Sequence, residues 1–199
     1  MMICPQARLA FFSMPKTGSS AVLLALRPHA PIQFSAPPQV KHMTLVQYER
    51  HVAPLLRDCG QPQMETVCLV REPVDWLRSW YAFRSRDVLR NTGRSTAGIS
   101  FAQFVEDFIA PVRPPHAVLP PQSEIARRAD GRVGIDHIFR YDTFGNFAEW
   151  LSDRLGEKLE FERRNVSPVV EDRELPAALR ARLEQALAAD FSLYADHAR

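Results

Sequence analysis

Two short stretches hold the residues best suited to grip an anion. In Pro15-Lys16-Thr17-Gly18-Ser19-Ser20 an ammonium and several hydroxyls surround a glycine that lets backbone approach a ligand, and a helix beginning there offers free N–H groups. That is the make-up of a phosphate cradle. It is not the G-x-x-x-x-G-K-[ST] loop, because Lys16 precedes the glycine. Turn chemistry by itself also accounts for glycine and serine at such a place. The second stretch is Arg71-Glu72-Pro73, with Ser79 eight residues after the arginine. A guanidinium grips phosphate with two parallel bonds and a helical serine adds a hydroxyl donor. Taken alone, the second stretch is better explained by a surface ion pair and a solvated serine.

Both stretches need rigid elements to aim them. The apolar run Leu9 to Met14, stopped by Pro15 and Gly18 and followed by Ala21 to Leu26, predicts strand, tight loop and helix. Thr66 to Val70 followed by Pro73 predicts a second such unit, its helix over about 74–86 with Trp76, Trp80 and Phe83 at helical spacing. These three aromatics are expected in the core. Ile135 to Tyr141 predicts a third strand, with Asp142 or Thr143 capping a helix that ends at Gly156. Alternating strands and helices predict an α/β protein with a central parallel sheet flanked by helices, in which ligands bind beyond the carboxyl ends of the strands. Thr44 and Gln47 form a capping-box pattern, so Lys41-His42-Met43 is expected on a loop at a helix start. Residues 85–122, with Gly93, Gly98 and a proline-rich piece, read as an irregular insertion around a short helix from Phe101 to Phe108, and Leu175 to about Asp190 as a closing amphipathic helix.

Composition narrows the classes. A chain of 199 residues fits one domain, 1–199. A net charge of +2 is too small for nucleic-acid binding by bulk electrostatics, so an anionic ligand must meet local clusters. Only Lys16, Lys41 and Lys158 are lysines. No apolar run reaches the length of a membrane span, and the first run lacks a basic lead-in, so a cytoplasmic protein is expected. Cys4, Cys59 and Cys68 are odd in number and not spaced for a metal, which predicts buried, reduced thiols and no zinc site.

The loop at 15–20 resembles the 5'-phosphosulfate-binding loop of sulfotransferases that use 3'-phosphoadenosine 5'-phosphosulfate (PAPS), and Arg71 to Tyr81 resembles their 3'-phosphate-binding motif. Both occur in family order. Weaker similarity to carbohydrate-type and bacterial members runs through Pro120-Pro121-Gln122, Arg140-Tyr141-Asp142, Asn165-Val166-Ser167 and Ala189-Asp190-Phe191. Asp142 stands where glutamate is frequent. The resemblance implies a P-loop-like three-layer fold, a single sulfotransferase domain whose segment 85–122 shapes the acceptor site, and PAPS as donor. It assigns Lys16 and the backbone of Thr17, Gly18, Ser19 and Ser20 to the 5'-phosphosulfate, and Arg71 and Ser79 to the 3'-phosphate. Lys16 then stabilises the leaving phosphate, with no metal required.

A hydroxyl acceptor, with carbohydrate or a small alcohol foremost, must also lose a proton, and histidine suits that task near neutral pH. His42 is the first candidate and His116 the second. His29, His51, His137 and His197 have no comparable setting. Asn165 and Ser167 are candidate neighbours of the donor. A P-loop-type nucleotide kinase and a non-catalytic nucleotide-binding module are the competing readings; the first calls for a lysine inside a Walker loop and an acidic magnesium ligand at a strand end.

Overall fold

Five strands form one sheet in the order β3-β1-β2-β4-β5 in the computed structural model, which describes residues 1–162 and 174–198. They are β1 (Met2–Cys4), β2 (Leu9–Phe12), β3 (Ile32–Gln33), β4 (Glu65–Val70) and β5 (His137–Arg140). The three predicted strands run parallel, with Phe12 opposite Cys68 and Val70 opposite Arg140. The sheet as a whole is mixed, which corrects the expectation of a purely parallel one. β1 turns back through the tight Pro5–Ala7 turn, with Arg8 left-handed at φ 51°, so it must lie antiparallel to β2. β3 then pairs antiparallel with β1. Strands of 3 and 2 residues are too short to show periodicity in sequence.

Side chains alternate between the two faces of the sheet. Ala10, Phe12, Cys68, Val70 and Ile138 point to one face; Leu9, Phe11, Val67, Leu69 and Phe139 point to the other. Helix α1 (Ser19–Leu26) covers the second face through Val22 and Leu26. After it come the short α2 (Pro38–Lys41), α3 (Leu45–Gln47) and α4 (Ala53–Asp58), the last two joined by a π-turn over Tyr48–Val52. Leu45, Tyr48, Val52 and Leu56 from that stretch cover the first face. The Thr44–Gln47 capping box forms as predicted.

The next helices are α5 (Pro73–Arg84), α6 (Phe101–Ile109), α7 (Gln122–Ala126) and α8 (Phe144–Leu155), closed at Gly156 in the left-handed region. Phe147 and Leu151 of α8 join α1 on the second face. The tail, expected as one helix, is broken at Leu187 into α9 (Ala177–Ala186) and α10 (Ala188–Ser192). Segment 85–122 is more ordered than its composition implied. Phe101, Phe104 and Phe108 of α6 pack with Trp76, Leu77 and Tyr81 of α5 and Leu179 and Leu183 of α9, a third apolar cluster. Helices thus lie on both faces of the sheet. No described helix is long and apolar enough to cross a membrane. Cys4 and Cys68 are buried thiols, whereas Cys59, at the end of α4, is exposed, contrary to expectation.

Trp76 joins this third cluster to the rest of the protein. Its ring is fully buried, and its Nε1–H donates to the Pro15 carbonyl at 3.1 Å, tying the loop after β2 to α5. Trp76→Phe keeps most of the apolar volume but leaves that carbonyl buried and unpaired, at a cost of about 1–3 kcal/mol. Thermal denaturation should show a Tm lower by roughly 2 to 12 °C for a chain of this size. An unchanged Tm would mean that the tie contributes nothing.

Candidate anion-binding edge

Because β2, β4 and β5 are parallel, the residues that follow them gather at one edge of the sheet. The loop after β2 reverses through two left-handed residues, Lys16 at φ 67° and Gly18 at φ 70°. Gly18 is required twice over, since a Cβ there would also stand 2.8 Å from Cε2 of Tyr141. The Thr17 hydroxyl is buried and donates to the Met14 carbonyl at 3.0 Å, so the loop spends that side chain on its own turn and leaves Thr17 only its backbone for a ligand. Gly18 is the N-cap, and Ser19 and Ser20 open α1. Their first-turn amides have no intrahelical acceptors.

Arg71 follows β4 directly. The Gln122 side chain clamps its main chain, accepting from Arg71 N at 2.9 Å and donating to Arg71 O at 2.8 Å. The guanidinium reaches back to the loop, Nη1 donating to the Lys16 carbonyl at 3.4 Å, and its Cζ lies 5.1 Å from the centre of the Tyr141 ring. Tyr141 follows β5 and extends the ladder by donating its N–H to Val70 O at 2.8 Å. Glu72 caps α5 by accepting from Asp75 N at 2.8 Å. Trp76, Ser79, Trp80 and Phe83 recur at i, i+3, i+4 and i+7 of α5, one stripe that begins at the loop-bound Trp76. Ser79 is buried within it.

That stripe corrects one expectation. Trp76 is core and Trp80 packs against the same cluster, as expected, but Phe83 joins no core cluster and with Trp80 faces Lys16: the ammonium lies 4.3 Å from the Phe83 ring centre and 5.8 Å from that of Trp80. Arg86, just beyond α5, stacks its guanidinium 4.8 Å from the same Phe83 ring. Burial, and then the charges of Arg86 and Arg71, lower the Lys16 pKa to about 8. Ser13 Oγ and Trp80 Nε1 are buried beside this edge and make no hydrogen bond among the described residues. Crowded cations and orphaned donors together make a site that an anion's acceptor oxygens would relieve.

His42 caps the end of α2, and its Nδ1 meets the Ser13 carbonyl, which brings the ring to the same end of β2. That contact makes Nδ1 the N–H nitrogen and leaves the lone pair on Nε2. Burial, with the nearby Lys41 and terminal-amine charges, lowers the His42 pKa below its usual 6.5 against the opposing effect of the Ser13 bond. The imidazole is therefore neutral at pH 7. His116 instead pairs through Nε2 with Asp107 Oδ2 at 2.6 Å within the 85–122 segment. Asn165 and Ser167 lie outside the described residues.

No protein-family model, curated protein or solved structure matches this chain. Its chemistry therefore rests on its own residues. Tyr141 was discoverable from the rule that located Lys16 and Arg71, since it too follows a parallel strand. Gln122 fell in a stretch that resembles the family, but its clamp on Arg71 was not legible, because nothing local marks a contact made 51 residues away. A separate concavity of about 320 Å³ lies at the other end of β4 and β5, lined by Tyr48, Thr66, Arg128 and Asp136 among others, and shares no residue with this edge.

An ammonium with a pKa of about 8 loses its charge in the alkaline range. Affinity for a phosphate ligand should hold from pH 6.5 to 7.5 and then fall roughly tenfold per pH unit well above 8. Calorimetric titration with 3'-phosphoadenosine 5'-phosphate across pH 6.5–9.5 checks this, and Lys16→Met should flatten the alkaline fall. The same fall in the variant would assign the ionisation to another group.

Proposed function

We propose that this chain is a sulfotransferase that moves a sulfuryl group from PAPS to a hydroxyl of an acceptor, by in-line displacement on a P-loop-like α/β scaffold. The observation that carries this reading is the gathering of Lys16, Arg71 and the start of α1 at the carboxyl edge of parallel strands, in positions where the sequence resembles the family's two donor-binding motifs.

In this reading the N–H groups of Thr17 to Ser20 and the Lys16 ammonium hold the 5'-phosphosulfate, and Arg71 with Ser79 holds the 3'-phosphate. The acceptor oxygen bonds to sulfur as the bond from sulfur to the 5'-phosphate oxygen breaks. The hydroxyl proton passes to Nε2 of His42, the nitrogen left basic by the Ser13 contact. Negative charge that grows on the departing phosphate is met by Lys16, so the ammonium contributes most in the transition state. Trp80 and Phe83 keep water from the ammonium and strengthen its field. A carbohydrate or small alcohol suits the acceptor role, with segment 85–122 as its wall.

Three outcomes follow. The product 3'-phosphoadenosine 5'-phosphate should raise the Tm without magnesium and more than ATP does. Stabilisation by ATP with magnesium alone would favour a nucleotide kinase. Arg71→Ala should lower donor-product affinity by about 2 kcal/mol, roughly 30-fold, in titration calorimetry, with loss of preference for the 3'-phosphate. An intact preference would place that phosphate elsewhere. His42→Ala should leave donor-product affinity unchanged while slowing turnover about 100-fold or more. Because burial lowers its pKa, the acid limb of the wild-type pH–rate profile should fall below pH 6.5 and vanish in the variant. A variant with wild-type turnover would pass the role to His116.

A further inference from the structure

The donor reading gives Arg71 its task but not the means by which a residue at the end of a strand is held in place. Beyond Val70 the β4–β5 ladder has one further bond, from Tyr141 N to Val70 O. On its other side the main chain of Arg71 meets a side chain: the carboxamide of Gln122, only 1% exposed, makes both bonds that a neighbouring strand would make, at 2.9 and 2.8 Å. The clamp sets the direction in which the arginine leaves the sheet.

Gln122 is the first residue of α7, and the N-cap of that helix is Pro121, whose side chain accepts no hydrogen bond. The free amides of its first turn need an acceptor from elsewhere. Asp190 of α10 supplies one, its Oδ1 accepting from Ser123 N while the residue is 1% exposed and its Oδ2 has no hydrogen-bond partner among the described residues. Burial raises the carboxyl pKa to about 6 despite the bonds it receives. The backbone N–H of Gln122 and the Ser123 hydroxyl also donate to this carboxylate, so its contacts converge on the first turn of α7. What Asp190 does secure is the first turn of α7, and with it Gln122.

We propose that Gln122 and Asp190 are positioning residues for donor selectivity: Asp190 fixes the start of α7, Gln122 fixes the backbone of Arg71, and the guanidinium is thereby aimed at the 3'-phosphate. This rests on the donor reading above. Bidentate recognition of a phosphate tolerates little misplacement, so loosening the clamp lowers affinity for a 3'-phosphorylated nucleotide while a nucleotide without that group is held as before.

The test reads a ratio. Calorimetry gives the affinities of 3'-phosphoadenosine 5'-phosphate and adenosine 5'-monophosphate for the wild type, Gln122→Met, Asp190→Ala and Asp190→Asn, with Tm measured alongside. Gln122→Met and Asp190→Ala should each reduce the wild-type preference for the bisphosphate at least about tenfold, with monophosphate affinity unchanged within about threefold. Asp190→Asn, which retains an oxygen acceptor for Ser123, should keep the preference. A purely structural role would lower the Tm and leave the ratio alone. Should Gln122→Met fail to fold, the contrast between Asp190→Ala and Asp190→Asn decides, and an unchanged ratio in both overturns the proposal. A wild type that shows no preference overturns the donor reading and this proposal together. A wild-type preference that survives in the folded variants overturns the positioning role alone.

Discussion

One hydrogen bond, from the buried indole of Trp76 to the carbonyl of Pro15, fixes the relation on which the rest of the edge depends. It ties the loop after β2 to the first turns of α5, two pieces that the sheet alone would leave as independent neighbours. With the indole in place, Trp80 and Phe83 fall one and two turns further along the same stripe and wall the ammonium of Lys16. Lys16 itself has to accept a left-handed backbone for its side chain to come there. That conformation is costly for a residue with a Cβ and persists only where surrounding contacts dictate it. The Trp76 bond above and the Tyr141 ring against Gly18 below are those contacts.

The parallel β–α units were legible because strands buried on both faces read as unbroken apolar runs, as in Thr66 to Val70, and because Pro73 and Gly156 mark helix ends by backbone chemistry alone. The capping box at Thr44 was legible for the same local reason. β1 and β3 were not, since a pairing of two or three residues is decided by the turn that returns the chain and not by a pattern along it. The aromatics of α5 show a different failure. Helical spacing correctly put Trp76, Trp80 and Phe83 on one face, but spacing does not say whether that face meets apolar side chains or a lysine. Gln122 and Asp190 stood in stretches that resemble the family, but their contacts were not legible, because they join residues 51 and 67 positions apart and no local periodicity marks them.

The cations at the edge crowd one another. Arg71 and Arg86 both act against the charge on Lys16, whose ammonium also packs against the Phe83 ring. The nearest carboxylate along the chain, Glu72, is turned to Asp75 N as the cap of α5. In the proposed reading, the mutual repulsion of these cations favours entry of an anion, whose charge offsets it. Such preorganisation is how a site makes electrostatic stabilisation available at the moment charge develops.

Burial is the largest cause of both notable base shifts at this edge, yet it acts in opposite senses for the proposed chemistry. Lys16 has to stay charged, and His42 has to be neutral to receive a proton. Desolvation moves both toward neutrality. The outcome differs because the starting points differ. Lysine begins at 10.5 and falls to about 8, so at pH 7 the ammonium remains about nine-tenths protonated. Histidine begins at 6.5 and only falls, so at the same pH the imidazole carries its lone pair on Nε2, oriented by the Ser13 carbonyl. In the proposed reading, partial burial thus leaves Lys16 charged and His42 neutral at pH 7, the states that leaving-group stabilisation and proton acceptance call for. In that reading a histidine at position 16 would forfeit the charge, and a lysine at position 42 would forfeit the neutral base.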